Sequence, residues 1–315
     1  MPLNNKELSF MQLHQLRYVR EIVRNDLSIS KAAKALGTSQ PSVSNQLQQL
    51  EEELRLKIFE RRGKRLVAIT DMGQIILETA EKVLHEIDNI ENLADERHDE
   101  EDGILSIGTT QTQALYALPS AIKAFSERYP KVHLNMIQGT PREIAELAAA
   151  GEIDLAIATE TLDKNLNLVT FPCYDWNRTI VVPDKHPLLS EKMLTLEAVS
   201  KYPILTYLMN FTGRSQQDQS FKDRGLIPNV IFTATDADVI KKYVGIGLGI
   251  GIIASMAFDA KKDKPLKGLD ASHLFKPSTT LLAFRRGNYL RGYTYSFIEF
   301  FAPHLTKEAI QQKLK

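Results

Sequence analysis

Residues 30–54 read SKAAKALGTSQPSVSNQLQQLEEEL, two helix patterns separated by a short turn at Gly37. Ser30 is expected to cap a short helix that ends at Gly37, because a serine N-cap and a glycine C-cap satisfy the free backbone groups at helix ends. Ser39 is expected to cap the next helix, in which Pro41 occupies the first turn, where a missing N–H costs nothing. Two helices joined by so tight a turn predict a helix-turn-helix.

The residues on either side of this stretch complete the same domain. Apolar residues at helical spacing predict a first helix over 12–24. Residues 59–69 predict a hairpin, or wing, with Gly63 at its turn. Four cations surround the tip of this wing: Arg61, Arg62, Lys64 and Arg65. We expect such a wing to lie over the phosphates of DNA.

The third helix of this domain combines an apolar stripe with a polar face. Short amides and hydroxyls can read base edges in the major groove, so we interpret it as a recognition helix. The polar residues expected to contact DNA are Ser39, Gln40, Ser42, Ser44, Asn45, Gln46 and Gln49. The alternative is a solvated helix face beside a solvated loop, which accounts less well for the turn, the wing and the charge together.

Charge is distributed unevenly along a chain whose net charge is zero. Residues 1–70 carry 12 Lys/Arg against 7 Asp/Glu, residues 71–102 carry 2 against 12, and residues 103–315 carry 25 against 20. A basic N-terminal segment followed by an acidic helix is expected where the basic segment binds a polyanion and the acidic segment is kept away from that polyanion.

A long helix is predicted from Asp71 to about Glu96, capped by Thr70. Its apolar residues repeat at alternating spacings of four and three: Ile76, Ala80, Val83, Ile87, Ile90 and Ala94. This is the seam of a coiled coil, so we expect a homodimer that presents two recognition helices to a two-fold DNA site. The alternative is a single amphipathic helix packed on its own domain.

From Gly103 onward the chain alternates strand and helix patterns, which is typical of an α/β fold with parallel strands. The first set predicts strands at 104–108, 132–137 and 153–158, and helices at 115–129 and 141–150. The second set predicts strands near 167–171, 179–182, 204–207, 230–233, 249–253 and 281–284, and helices near 215–223, 237–244 and 290–301. Two such lobes, joined by crossing strands, would leave a cleft between them.

Hydroxyl and amide side chains follow several of these strands, where helix N-termini bind anions. The residues at these junctions that we take as candidates for a binding site are Thr110, Gln111, Thr112, Gln113, Thr140, Thr159, Thr212 and Arg214. They imply a small oxyanion or an amino-acid-like carboxylate as ligand. Each junction alone could also be an ordinary N-cap. Trp176, the only tryptophan, either forms a wall of the cleft or packs at the hinge.

Signs of an enzyme are sparse, so we expect no catalytic residues and no cofactor. The glycines of 245–251 follow a predicted helix and enter a strand, the reverse of a dinucleotide-binding turn. The seven histidines show no metal-binding spacing, so no metal is expected. Cys173 is a single cysteine, which excludes a disulfide within the chain and suits packing better than nucleophilic attack.

Neither a membrane span nor a secretory signal is readable in the sequence. The longest apolar stretch, 244–257, is shorter than the roughly 20 residues that a span needs and contains glycines. Residues 1–30 carry charges throughout. We therefore expect a cytoplasmic protein without a membrane partner.

The N-terminal motifs resemble those of the LysR-type transcriptional regulators. The motifs that carry this resemblance are Leu16-Arg17-Tyr18, Ala32-Ala33, Thr38-Ser39-Gln40-Pro41-Ser42-Val43-Ser44 and Gln49-Leu50-Glu51. The rest of the chain resembles the branch of that family which activates cysteine regulons. Its motifs are Thr112-Gln113-Ala114, Tyr116-Ala117-Leu118-Pro119, Pro172-Cys173-Tyr174, Trp176-Asn177-Arg178, Phe211-Thr212-Gly213-Arg214-Ser215, 233–240 and Phe301-Ala302-Pro303-His304-Leu305.

This resemblance implies a winged helix-turn-helix over 1–70, a dimerising linker helix over 71–102 and a periplasmic-binding-protein-like effector domain over 103–315. It divides the effector domain into lobe I, at 103–172 and 278–315, and lobe II, at 173–277. It also implies a homotetramer that activates promoters for sulfate assimilation and cysteine biosynthesis, with RNA polymerase as a further partner.

The resemblance implies ligands as well. O-acetylserine or N-acetylserine would be the inducer, sulfate would also occupy the cleft, and sulfide or thiosulfate would oppose induction. The cleft positions that match the family are Thr110, Gln111, Thr112, Gln113, Thr159, Trp176 and Thr212. The family's usual start falls near Met11, which is an alternative initiator to Met1.

Three other functions stay open at this point. The nearest is a paralogous regulator of sulfonate utilisation under sulfate starvation, which would sense sulfate or its activated nucleotide. A solute-binding module or an enzyme on the same scaffold would show no steeply salt-dependent binding to random duplex DNA. A nucleoid-type repressor would show no thermal shift with acetylserine.

Overall fold

The computed structural model of the chain describes residues 11–63, 65–98, 101–159, 161–209 and 211–314, with the backbone alone at 95–98. The choice between Met1 and Met11 as the start, and the place of Lys64 in the wing, therefore lie outside the described residues. The described residues up to Asp95 form one compact unit, and those from Glu96 onward form a second.

The N-terminal unit contains α1 (Leu13–Arg24), α2 (Ile29–Ala35), α3 (Gln40–Glu53), β1 (Phe59–Arg62), β2 (Arg65–Ile69) and most of α4 (Asp71–His98). Gly37, with a φ of +62°, ends the turn after α2 in a conformation that favours glycine. The Ser39 hydroxyl accepts a hydrogen bond from the backbone N–H of Ser42 at 3.3 Å, so the predicted cap of α3 is confirmed. The prediction for α2 was wrong, because Ser28 and not Ser30 caps this helix.

The helix-turn-helix and the hairpin share one core. Its fully buried members come from α1, α2, α3, the start of β1 and the residue before it: Val19, Ile22, Ala32, Val43, Leu47, Leu50, Ile58 and Phe59. The apolar stripe that the sequence shows on the third helix is the face of α3 in this core. Burial of side chains of this size, at about 1.5–3 kcal/mol each, holds the three helices and the wing together.

The helix α4 is apolar on two sides. Thr70 caps it by accepting a hydrogen bond from the N–H of Gly73 at 2.9 Å. One side packs against its own unit, where Ala80 and Leu84 cluster with Leu16. A second side, the α4 stripe, carries exposed apolar residues: Met72, Ile75, Val83, Ile90 and Leu93. The predicted seam is therefore divided, since Ala80 faces its own unit while other members are exposed.

The second unit begins with β3 (Gly103–Thr109), α5 (Gln111–Tyr116), α6 (Leu118–Arg128), β4 (Val132–Gln138), α7 (Pro141–Ala150), β5 (Leu155–Ala158) and β6 (Leu168–Trp176). It continues with β7 (Arg178–Val182), α8 (Leu196–Val199), β8 (Ile204–Tyr207), α9 (Arg214–Asp223), β9 (Val230–Ala234), α10 (Ala237–Gly245), β10 (Ile250–Ala254) and β11 (Lys267–Asp270). It closes with β12 (Ser278–Arg285), α11 (Gly292–Phe301) and α12 (Lys307–Leu314).

These strands form two five-stranded sheets, and the lobes are named here after them. Lobe I is built on the order β4-β3-β5-β12-β6, in which β4, β3 and β5 are parallel and β12 is antiparallel to both neighbours. Lobe II is built on β11-β7-β10-β8-β9, in which β10, β8 and β9 are parallel. The chain crosses between the lobes at Asn177 and again before Ser278. The predicted α/β fold class is confirmed.

Two elements differ from the sequence patterns in a way that matters for the site. The helix expected over 115–129 is two helices, because α5 starts directly after β3 and a new helix begins at Leu118, where Pro119 needs no N–H partner. The strand expected near 167–171 extends to Trp176 and pairs with β12 in the sheet of lobe I. Both changes lengthen the structure that borders the cleft.

The described ranges contain neither a helix that could span a membrane nor a cluster of metal ligands. No helix there combines the length and the hydropathy needed to cross a bilayer. In the same residues, no group of three or more His, Cys, Asp or Glu side chains could hold a metal ion.

Candidate functional site

The polar face of α3 is directed away from the core of its unit. Asn45 and Gln49 are exposed, and Ser42 and Ser44 are half-buried. Several of the predicted contact residues also hold neighbouring side chains: Gln40 accepts from Ser30, Gln46 accepts from His14 and Gln15, and Gln49 donates to Glu53. Gln46 therefore fixes α3 against α1, whereas Asn45 is presented outward.

The wing places cations beside the start of α3. Arg61, Arg62 and Arg65 are exposed, and Gly63 has the positive φ, +63°, that its tight turn requires. Arg65 and Gln40 are among the residues that border a groove of about 490 Å³ between the wing and the helix-turn-helix. This groove and its arginine suit a DNA backbone, because guanidinium groups pair with phosphate oxygens.

Replacing Arg62 by alanine is expected to weaken DNA binding about equally on specific and random duplexes and to lower the salt slope by about one. The physical reason is that an exposed arginine at a wing tip contacts phosphate and carries no base information. Fluorescence anisotropy at several salt concentrations measures both quantities, with Lys201→Ala, an exposed lysine of lobe II, as the control. A loss confined to the specific duplex would contradict a phosphate role.

Glu51 is a buried anchor between α3 and the wing, and the sequence patterns did not single it out for this. Its side chain is 0% exposed. One carboxylate oxygen accepts hydrogen bonds from the backbone N–H groups of Ile58 and Phe59 at 2.9 and 3.2 Å. The other lies 3.1 Å from Lys57 Nζ and 3.7 Å from Arg61 Nη2. Glu51 thus positions the first strand of the wing relative to α3.

In the second unit, the candidate residues on α5 are brought to the boundary between the lobes. Thr110, Thr112 and Gln113 are buried, and Gln111 is half-buried. The Gln113 amide donates to Thr280 Oγ1 at 2.9 Å and accepts from the Tyr174 hydroxyl, so both ends of this amide are held by lobe I. The Gln113 amide is therefore used within lobe I and is not directed across the lobes.

Thr112 and Thr212 meet at the boundary between the lobes. Their hydroxyl oxygens lie 3.4 Å apart although the residues belong to different lobes. Thr212 has a φ of +42°, a left-handed conformation that residues other than glycine rarely adopt and that clusters at functional sites. Thr112 also hydrogen bonds to Tyr207, which is fully buried. Hydroxyl groups in such surroundings can donate to an oxyanion without a full counter-charge.

Two arginines lie close in the chain to residues of this site, and different partners hold each of them. Arg214, a predicted site residue, is held within lobe II by Asp218 at 2.7 Å and by the carbonyl of Tyr207 at 2.6 Å. Arg178, which was not predicted as a site residue, donates to the carbonyl of Gly213 at 2.5 Å and to Ser278 Oγ at 3.0 Å. A Cβ at Gly213 would lie 2.3 Å from Arg178 Nη2, so glycine is required for this approach.

The remaining candidates border the cleft differently. Trp176 is buried among lobe II residues, and its Nε1 has no hydrogen-bond partner in the described part of the chain. Thr159 is half-buried directly after β5. Thr140 caps α7 and exchanges two hydrogen bonds with Glu143. The Trp176 donor is therefore buried without a partner in this part of the chain, and the Thr140 hydroxyl accepts from the backbone N–H of Glu143.

Two further contacts join the two ends of α5 to the start of α10 across the lobes. Gln111 Nε2 donates to Asp236 Oδ2 at 3.0 Å, and the Tyr116 hydroxyl donates to Asp238 Oδ1 at 2.7 Å. Burial, followed by the carboxylate of Asp238, raises the pKa of Tyr116, so this phenol stays a donor. These contacts hold the threonines of the two lobes in register.

Cys173 is expected to be unreactive in the native protein. Its side chain is buried in the core of lobe I, and burial raises the pKa of the thiol to about 12. Since the thiolate is the reactive form, a thiol reagent at about pH 8 should label the chain only after denaturation. Rapid stoichiometric labelling of the native protein would contradict this and would make Cys173 a candidate nucleophile again.

Known proteins match this architecture over nearly its full length. Residues 13–74 match the family described as "Bacterial regulatory helix-turn-helix protein, lysR family", and residues 98–306 match the "LysR substrate binding domain". The HTH-type transcriptional regulator SsuR of Burkholderia cenocepacia is 48% identical over 97% of this chain and 99% of that protein. CysB of Haemophilus influenzae, another HTH-type transcriptional regulator, is 49% identical over 96% of this chain and 93% of that protein.

A solved structure agrees with these matches. The crystal structure of the cofactor-binding domain of the Cbl transcriptional regulator superposes with a TM-score of 0.66 at 43% sequence identity, over 68% of this chain and 93% of that one. The two-lobed unit described above is thus an architecture already seen in a regulator that is similar in sequence.

Proposed function

Because the chain belongs to the LysR family of transcriptional regulators, we propose that it activates genes of sulfate assimilation and cysteine biosynthesis in response to a small molecule bound between its two lobes. The observation that carries this proposal is the buried pair of hydroxyls, Thr112 and Thr212, that meets across the lobes. The relatives named above are transcriptional regulators, not enzymes, and a binding site without a nucleophile suits that role.

The DNA-binding part of the proposal rests on α3 and the wing. The predicted contact residues of α3 would enter the major groove, and the arginines of the wing would lie over the phosphates. We place the DNA-binding domain at 1–70, the linker helix at 71–102 and the effector domain at 103–315. The ligand would bind the effector domain with different affinities in two arrangements of the oligomer. Its binding would therefore favour one arrangement and so change DNA binding by the DNA-binding domain.

The oligomer that we propose is a homodimer that assembles further into a homotetramer. The α4 stripe supports the dimer, because five exposed apolar residues on one face of a helix are the pattern that a second helix covers. We further propose a cytoplasmic location and contact with RNA polymerase at activated promoters, both of which follow from the role as an activator.

A second candidate function is control of sulfonate utilisation under sulfate starvation, with sulfate or its activated nucleotide as the signal. The observation that favours keeping it is that the chain is nearly as similar to SsuR, at 48%, as to CysB, at 49%. The two functions predict different ligands. Calorimetric titration of the full chain with O-acetylserine, N-acetylserine and sulfate therefore distinguishes them.

Preference for an acetylserine would support cysteine control, and binding of sulfate alone would support the second candidate.

In either case, Thr112→Ala is expected to weaken binding of the ligand by about 1–2 kcal/mol, the value of one hydrogen bond, while DNA binding is unchanged. Thr233→Ala, an exposed threonine of β9, is the control. Binding of none of the three ligands would contradict the proposed function.

A further inference from the structure

The side-chain amide of Gln46, on α3, is oriented by a series of hydrogen bonds that begins at α1. The backbone N–H of Gln12, the N-cap of α1, donates to Gln15 Oε1 at 2.7 Å. A backbone N–H can only donate, so this end of the Gln15 amide is the oxygen and the other end is the NH₂ group. Gln15 is buried, and its Nε2 donates to Gln46 Oε1 at 3.1 Å. The atom of Gln46 that faces α1 is therefore its oxygen.

A second donor occupies the same oxygen. His14 Nε2 lies 3.1 Å from Gln46 Oε1. Since an amide oxygen only accepts, His14 carries a proton on Nε2 in this contact. An amide oxygen has two lone pairs, and Gln15 and His14 use both of them. The side chain of Gln46 therefore has no acceptor left for a DNA base. Further protonation of His14 would not change this, because His14 already donates here.

The opposite end of the Gln46 amide keeps its two donors. Gln46 is half-buried and follows the exposed Asn45 on α3. Its oxygen contacts α1, while its Nε2 has no hydrogen-bond partner among the residues that the structure describes. An NH₂ group held in one orientation is thus available on the helix that we place in the major groove.

The major groove separates the four bases by the group that each presents beside this donor. Guanine and thymine present a keto oxygen, whereas adenine and cytosine present an amino group. A glutamine with a free amide reads adenine by donating to N7 and accepting from the amino group. Gln46 cannot complete that pair, because its oxygen is occupied. Its NH₂ group can donate to guanine O6 or thymine O4, but at adenine or cytosine it meets another donor.

We propose that Gln46 is a specificity-determining residue, which selects a keto base, guanine or thymine, at one position of the DNA site and rejects the two amino bases. This inference deepens the proposed function, because it assumes that α3 enters the major groove. Gln15 and His14 are positioning residues, since they act on the DNA contact only through Gln46. The hydrogen bonds that attach α3 to α1 thereby also set which bases Gln46 accepts.

The test compares the full chain with its Gln46→Glu variant, by selection of duplexes from a random-sequence library and anisotropy titration of the selected duplexes. Glutamate keeps one oxygen for Gln15 and His14, and its second oxygen replaces the donors with an acceptor, which suits the amino group of cytosine. We expect one position to change from guanine or thymine to cytosine or adenine. Each chain should bind its own base about 5-fold more tightly, the effect of one hydrogen bond.

Gln48→Glu is the matched control, because it makes the same chemical change at an exposed residue of α3 that is not a predicted DNA contact. It should lower the affinity for all duplexes by repulsion of phosphates and leave every base preference unchanged. Gln46→Met removes both donor and acceptor. This variant should abolish the preference at the position that Gln46→Glu inverts.

Two results would overturn this role of Gln46. If Gln46→Glu weakened all duplexes without changing a base preference, Gln46 would only attach α3 to α1. If the unsubstituted chain required adenine or cytosine at the position that Gln46→Met relaxes, the oxygen of Gln46 would be reading the base. In both cases DNA binding by the helix-turn-helix still stands. Failure of the unsubstituted chain to select any sequence from the library would instead refute the proposed function.

Discussion

Replacing Glu51 by alanine is expected to lower the free energy of unfolding of the N-terminal unit by about 3 kcal/mol. The substitution leaves the buried backbone N–H groups of Ile58 and Phe59 without their acceptor, at about 1–3 kcal/mol each. It also frees Lys57 and Arg61 from their carboxylate. Because the wing loses its attachment to α3, DNA binding should weaken as well.

Hydrogen exchange read by mass spectrometry measures this effect locally, in peptides that cover 58–69. The full chain with Glu51→Ala should exchange these amides faster than the unsubstituted protein. Glu52→Ala, at the exposed neighbouring residue, is the control and should change the free energy of unfolding by less than about 0.5 kcal/mol. Equal exchange in both variants would show that Glu51 does not anchor the wing.

Replacing Lys241 by methionine is expected to lower the free energy of unfolding of the second unit by about 3 kcal/mol. The Lys241 ammonium is buried and donates to Asp263 at 2.8 Å and to the carbonyl of Ala257 at 2.9 Å, and it pairs with Asp238 at 2.9 Å. Methionine retains the apolar stem but leaves Asp263, which is largely buried, without its counter-charge.

Urea unfolding followed by tryptophan fluorescence measures this change, because Trp176 is the only tryptophan and lies in the second unit. Lys242→Met, at the exposed neighbouring residue of α10, is the control and should leave the unfolding midpoint nearly unchanged. If the two variants unfolded at the same urea concentration, the buried ion pairs would not stabilise the second unit.

Local rules account for the parts of the fold that could be predicted. Capping residues, apolar periodicity and a glycine turn were sufficient for the helix-turn-helix, the wing and the long helix α4. The alternation of strand and helix patterns was sufficient for the α/β class. Residue motifs were sufficient for the family, since the resemblance to LysR-type regulators is confirmed.

Contacts between distant residues account for what sequence reasoning missed. Glu51 stands in a run of three glutamates that resembles a solvated helix end, and only the folded wing supplies the N–H groups that bury it. Gln113 was expected to face a ligand, but its amide bonds to Tyr174 and Thr280, which are 61 and 167 residues away in the chain. Arg178 had a signal, because Trp176-Asn177-Arg178 is one of the family motifs, yet nothing in the motif showed its contact with Gly213.

We expect occupancy of the cleft to be coupled to DNA binding. Coupling is reciprocal, so a ligand that changes DNA affinity must itself bind with a different affinity when DNA is present. The measurement is calorimetric titration of the full chain with O-acetylserine, first free and then saturated with a duplex that the chain has selected from a random-sequence library. We expect the ligand's dissociation constant to differ by about 5-fold or more between the two states. Equal dissociation constants would show that ligand binding and DNA binding are not coupled.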